Sequence, residues 1–179
     1  MNSARTEPQE TEAPETAELA GSSAGEVREV AIPYSAQALT ALSRVDYTDA
    51  FLLSTPRAQD RTGEQWARAM LEEAPPATRT GLRRGWFALG VRLGSADDPR
   101  RVLGWRVRES SPDHAVLAAD SLIGMEVEVL FKPDPSALLV ATIMRLNNPF
   151  ARVLWAAFSP QHRRVVCGLL KQTSRRAVA

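Results

Sequence analysis

His162 is the polar residue most suited to chemistry in this chain, because its position predicts an imidazole that faces the protein core. It lies in the last segment of the chain, where Phe158, Val165 and Leu169 recur at helical spacing. A 100° step per residue puts His162 about 40° from the line through Phe158. We therefore expect His162 to face inward. There it could act as a donor or general base for a bound molecule, or bond structurally to a strand carbonyl or a carboxylate.

The other candidates for acid–base chemistry are three carboxylates, one at the end of a predicted strand and two in the strand that follows. Asp120 precedes a bend at Gly124. It could orient His162 or a ligand hydroxyl, although an Asp in such a place more often caps a turn. Glu126 and Glu128 share one face of the next strand, opposite its apolar face. We therefore expect a solvated pair there, not a catalytic dyad.

Cys167 is the only cysteine, which excludes an intramolecular disulfide and a Cys-rich metal site. Its helical position opposite the apolar stripe predicts an outward-facing, incidental thiol. With one cysteine and two histidines, a protein-only transition-metal site is not expected. No phosphate-binding loop or serine-elbow motif occurs, so we expect no metal and no cofactor.

A strand and two helices are predicted to open the ordered part of the chain. Residues 47–54 are typical of a strand, which Pro56 ends. Thr62, followed three residues later by Gln65, predicts a capping box at the start of a helix. A second helix is indicated by an apolar stripe of Leu82, Trp86 and Leu89.

Four strands and a long helix complete the prediction. Period-two patterns indicate strands at 102–109, 114–120, 125–132 and 138–146, the last apolar on both faces and so central or covered twice. Asn148-Pro149 suits a helix start, and Pro160 predicts a kink or restart. The fold class is α+β, with an antiparallel sheet wrapped around a long C-terminal helix and two short helices after the first strand.

Charge divides the chain into two parts. Residues 1–30 hold seven Glu and two Arg and no aromatic residue, which predicts a disordered acidic tail before a single domain at 31–179. The whole chain has a formal charge of +1, and its Arg clusters lack a nucleic-acid-binding motif, so we expect no nucleic-acid partner. No apolar run approaches about 18 residues and no signal sequence opens the chain, so we expect no membrane span and a cytoplasmic location. The oligomeric state stays open.

Several short phrases, in this order, resemble the START-like (SRPBCC, helix-grip) superfamily, and more closely one of its uncharacterised bacterial families. They are Asp49-Ala50-Phe51, Leu103-Gly104-Trp105-Arg106-Val107, Ser111-Pro112-Asp113, residues 142–148 and residues 159–166. The resemblance covers about residues 46–175. It implies a hydrophobic cavity beneath the C-terminal helix; members bind lipids, hormones or polyketides, and some are cyclases or dehydratases. The Asp-x-His-Leu-like phrase of the closer family reads Asp120-Ser121-Leu122 here, without the histidine.

The leading hypothesis is therefore a START-like module that binds a small apolar molecule without catalysis. The residues expected to contact it are Trp105, Met125, Val127, Val129, Trp155, Phe158 and His162. One alternative is a cyclase- or dehydratase-like enzyme that uses His162 and Asp120. The other is a protein-interaction domain with a filled core.

Overall fold

The structure, a computed structural model, describes residues 23–178. Its strands are β1 (Val27–Val30), β2 (Tyr47–Ser54), β3 (Arg101–Val102), β4 (Trp105–Ser110), β5 (Ala115–Asp120), β6 (Met125–Asp134) and β7 (Ala137–Leu146). Its helices are α1 (Tyr34–Gln37), α2 (Gly63–Leu71), α3 (Pro76–Ala88) and α4 (Pro149–Val178), with a 3₁₀ turn at Ala58–Asp60. The predicted α+β class is confirmed, as are the two short helices after the strand at 47–54.

The strands described form one antiparallel sheet in the order β1-β2-β7-β6-β5-β4-β3. Strands β4 to β7 are successive hairpin neighbours, and β2 pairs with the last of them, so that Asp49 lies opposite Thr142. Strand β7 is therefore central, and nearly all of its residues are buried. This confirms the prediction, made from its two apolar faces, that this strand is central or covered on both sides.

One face of the sheet packs against α2 and α4. Alternate residues of β2 and β7, such as Phe51, Leu53 and Val140, point into this main core, where they meet Trp66 of α2 and Trp155 of α4. The capping box of Thr62 and Gln65 starts α2, as predicted. Burial of these large side chains is the main favourable contribution to holding the helices on the sheet.

The opposite face of the sheet is covered by the N-terminal strap, which we define as residues 31–42. Ala36 of the strap is fully buried in a second apolar cluster that contains Ala50, Val116 and Leu139. Because the strap shields this face from water, strand residues that point to either face of the sheet can be apolar.

Glu128 was predicted to be solvated, and this prediction is wrong because the strap covers it. Its side chain is buried, and one oxygen accepts hydrogen bonds from Thr40 Oγ1 at 2.6 Å and from the Ala41 amide at 3.1 Å. Its other oxygen lies 2.9 Å from Arg108 Nε. Glu126 is instead half-buried and pairs with Arg145. The face opposite the main core is thus solvated at Glu126 but covered at Glu128.

A tight turn interrupts the strand predicted at 102–109. Leu103 and Gly104 both have positive φ, 49° and 93°, and Val102 pairs with Trp105 across them. Two consecutive left-handed residues are the geometry of a two-residue hairpin turn, and Gly104 adopts it without a steric cost. The alternating apolar pattern concealed this turn because it continues on both sides of it.

Three further expectations can be compared with the structure. Residues 27–30, which we placed in the acidic tail, form β1 and pair with β2, while residues 1–22 of that tail lie outside the described residues. Helix α4 is continuous through Pro160, so the restart, one of the two outcomes expected there, is wrong. Cys167 is half-buried: it packs against the main core and also lines a shallow surface groove.

Candidate functional site

A cavity lies between the sheet and the helices α2, α3 and α4. It encloses about 90 Å³ that the centre of a water-sized sphere can reach. A void of about 10–15 Å³ on this measure holds one water, so the cavity has room for several waters or one small organic molecule. Its wall is almost entirely apolar side chains, with Thr142 and His162 as the polar exceptions apart from the tryptophan N–H groups.

The structure places most of the sequence-predicted ligand contacts together in this wall. They are Trp105, Met125, Val127, Val129, Trp155 and His162. Phe158 does not line the cavity. It is half-buried in a neighbouring groove between α3 and α4. Phe158 and His162 share a helix, but only the histidine lies far enough toward the sheet to reach the cavity.

A buried carboxylate on β2 faces the imidazole of His162. Asp49 Oδ2 lies 3.3 Å from His162 Nε2, and Thr142 Oγ1 of β7 lies 3.1 Å from the same nitrogen. Tyr47 donates its hydroxyl to Asp49 Oδ2 at 2.6 Å. Because an ionised carboxylate only accepts hydrogen bonds, Nε2 carries the proton in this pair, which leaves Nδ1 as the second nitrogen for other partners.

Asp49 is ionised despite its burial. Burial raises the pKa of its carboxyl, but the hydrogen bond from His162 and the hydroxyls of Tyr47 and Thr142 outweigh that effect and hold the pKa below its ordinary value. Burial and the hydrogen bond to Asp49 raise the pKa of the Tyr47 hydroxyl, which therefore stays protonated. The cluster has the composition of a general base held by a carboxylate.

Asp120, the predicted partner of His162, lies elsewhere. Its side chain is exposed at the end of β5 and is not part of the cavity wall, while its backbone carbonyl accepts a hydrogen bond from the Arg92 amide at 2.7 Å. The carboxylate that meets His162 is Asp49.

Sequence reasoning missed Asp49 and Thr142, although a signal for both was present. Asp49 points to the same face of β2 as Phe51 and Leu53, because alternate residues of a strand share a face. Phe51 and Leu53 point into the main core. Thr142 likewise continues the inward series of β7 that includes Val140 and Met144. A charged residue on the buried face of a strand requires a partner, and this requirement would have singled out Asp49.

The groove between α3 and α4 leads to the cavity. The two share wall residues, among them Leu82, Trp86 and Val165. Helix α3 contains no fully buried residue, so little apolar burial holds it in place. The side of the cavity under α3 is therefore the part of the wall that can open at the lowest cost.

Two other kinds of site are absent from residues 23–178. No group of three or more His, Cys, Asp or Glu side chains there is arranged to hold a metal ion. No helix in this part of the chain has the length and apolar character needed to cross a membrane.

Comparison with known proteins identifies a family but no characterised relative. No curated protein matches the chain. No solved structure matches it either. A family model described as "Protein of unknown function (DUF2867)" matches residues 41–169, a stretch that runs from the end of the strap into α4 and includes Asp49, Thr142 and His162. The chain therefore belongs to the DUF2867 family.

Proposed function

We propose that this protein binds a small apolar molecule in the cavity between the sheet and α4. The observation that carries the proposal is an interior space of about 90 Å³ with an almost entirely apolar wall. Closely packed cores contain few voids of this size, and leaving one empty forfeits contacts that a ligand would restore. Cavities of this character are the usual sites for small molecules.

The proposal extends to the superfamily. An antiparallel sheet with a long C-terminal helix packed on one face is compatible with the helix-grip fold of START-like proteins. Members of that superfamily hold their ligands beneath the C-terminal helix, which is where this cavity lies. The fold supports the proposal only by analogy, whereas the cavity supports it directly.

The size of the space sets the size of the ligand. A cavity of about 150 Å³ lined by apolar side chains binds benzene. A molecule of one six-membered ring therefore suits the present cavity if the wall under α3 gives way slightly. Larger lipids would require α3 to leave the sheet.

Native mass spectrometry of freshly purified protein, followed by solvent extraction, tests the proposal. We expect a defined additional mass that corresponds to one small apolar molecule. Val165→Phe places extra volume in the wall and should abolish the added mass. Val153→Phe is the matched control, because Val153 lies on the same helix and is 72% exposed. Retention of the mass by Val165→Phe would place the ligand elsewhere. An unliganded wild type that takes up nothing from an apolar library would favour a filled-core interaction domain.

A second candidate function is acid–base chemistry on the bound molecule. The specific observation in its favour is the buried Asp49–His162 pair, since a carboxylate that orients an imidazole is a common arrangement for a general base. Here Asp49 replaces Asp120 as the partner of the histidine. Incubation of the extracted molecule with the protein, followed by mass spectrometry, would reveal conversion, and His162→Gln should then abolish it.

A further inference from the structure

Trp155 places an unpaired hydrogen-bond donor in the wall of the cavity. Its side chain is buried, with 5% of the residue exposed, and its Nε1 has no hydrogen-bond partner among residues 23–178. Its ring lies 5.1 Å, centroid to centroid, from the ring of His162. A buried N–H group without a partner is unfavourable, and buried polar groups in native proteins are nearly always paired.

His162 offers the complementary group beside it. Its Nε2 is engaged by Asp49 Oδ2 at 3.3 Å and by Thr142 Oγ1 at 3.1 Å. No hydrogen bond joins its Nδ1 to any other described residue, and the neutral imidazole with a proton on Nε2 has a lone pair on Nδ1. The donor and the acceptor are thus carried by two neighbouring rings that both line the apolar cavity.

A single hydroxyl group satisfies both positions, because its oxygen accepts one hydrogen bond while its proton is donated to another acceptor. We infer that the ligand is a small aromatic or alicyclic molecule with one hydroxyl group, whose oxygen accepts from Trp155 Nε1 and whose proton is donated to His162 Nδ1. This inference rests on the proposed function and names the class of ligand.

The charges around this end of the cavity exclude an anionic ligand. The Asp49 carboxylate lies directly behind His162, and its Oδ1 is buried without a hydrogen bond to any described residue. The nearby cation Arg163 is already engaged by the Tyr47 hydroxyl at 3.2 Å and by Glu29 at 3.1 Å. A second negative charge would therefore meet repulsion, and no Lys or Arg among the described residues that line the cavity offsets it.

Phenol and toluene test the inference, because they differ in a hydroxyl in place of a methyl group on the same ring. We expect phenol to bind the wild-type protein about tenfold more tightly than toluene, as measured by ligand titration at pH 8. Trp155→Phe removes the donor and should bring the two affinities together while toluene still binds. Trp66→Phe is the matched control, because Trp66 is outside the cavity wall and donates its Nε1 to the Ala58 carbonyl at 2.7 Å.

Nuclear magnetic resonance of the indole N–H groups tests the same contact without a variant. Phenol should shift the Trp155 Nε1 proton downfield, and toluene should not. Equal affinities of phenol and toluene for the wild type would overturn the inference and leave the proposed function standing. Loss of the phenol preference in Trp105→Phe but not in Trp155→Phe would also overturn it, because Trp105 Nε1 is a second buried, unpaired donor. Failure of both molecules to bind the wild type would contradict the proposed function and this inference together.

Discussion

Asp49 Oδ2 of β2 lies 3.3 Å from His162 Nε2 of α4, and the Asp49 side chain is entirely shielded from solvent. This pair joins the longest helix of the structure to the sheet at the polar end of the cavity. Since the carboxylate is buried and ionised, the imidazole is its main compensation, with the hydroxyls of Tyr47 and Thr142 as support.

Truncation of His162 should therefore destabilise the fold. His162→Ala leaves a buried carboxylate without its main partner, and we expect the free energy of unfolding to fall by about 2 kcal/mol. Urea denaturation measures the loss. Adding Asp49→Asn should recover part of it, because the uncompensated charge is then absent. His114→Ala is the control: His114 pairs with the partly exposed Glu109 at a turn, so its loss should cost less than about 1 kcal/mol. Equal losses for both histidines would show that Asp49 does not depend on His162.

Asp46 should make the fold sensitive to acid. The hydrogen bond from Arg44, the Leu146 amide and the charge of Arg152 lower the pKa of Asp46 from 3.8 to about 2. A lowered pKa in the folded state means that this stabilisation is fully present above about pH 3.8 and is lost as the pH falls toward about 2. The free energies of unfolding of the wild type and of Asp46→Asn, measured by denaturation, should therefore converge as the pH falls from about 3.8 to about 2. Asp49 remains in both proteins, so its own titration does not affect the difference. A difference that stays constant down to pH 2 would contradict the assignment.

Glu128 and Glu126 should respond differently to the same substitution. Glu128→Ala removes a buried acceptor of the Thr40 hydroxyl and the Ala41 amide and deprives Arg108 of its buried carboxylate partner, although Arg108 keeps Glu109 and the Leu39 carbonyl. We expect a loss of about 3 kcal/mol and faster proteolysis within the strap, because these contacts hold its end on the sheet. Glu126→Ala removes a half-exposed pair with Arg145 and an exposed hydrogen bond from Asn147 Nδ2, and it should cost less than about 1 kcal/mol. Limited proteolysis with mass analysis locates the cuts. An unchanged cleavage pattern in Glu128→Ala would show that Glu128 does not anchor the strap.

Gly63 and Gly81 should give opposite results when replaced by alanine. A Cβ at Gly63 would overlap the backbone of Ala115 and lie 2.5 Å from the Phe131 carbonyl oxygen, so Gly63→Ala should destabilise by more than about 3 kcal/mol. A Cβ at Gly81 would meet nothing within 4 Å on an exposed face of α3. Gly81→Ala should therefore stabilise by about 0.5–1 kcal/mol, since Ala loses less backbone entropy in a helix. Thermal unfolding measures both, and a mild effect at Gly63 would mean that α2 can move away from the sheet.

Features that depend on a few neighbouring residues were predictable. The capping box at Thr62 and Gln65 needs only two side chains of one turn, and β6 shows its period of two in eight consecutive residues. The inward direction of His162 followed from helical geometry alone. The turn at Leu103-Gly104 was missed because the apolar alternation on its two sides matches a single strand.

Local patterns indicate most of the strands and helices and the apolar face of each, since these features depend on the periodicity of neighbouring residues. Which distant groups come into contact is set instead by tertiary packing. Asp49, Thr142 and His162 lie on three elements far apart in the chain, and the pairing of β2 with β7 and the packing of α4 bring them together. The covering of Glu128 by the strap was decided in the same way. Contacts of this kind arise from the simultaneous burial of several apolar faces, which no local pattern encodes.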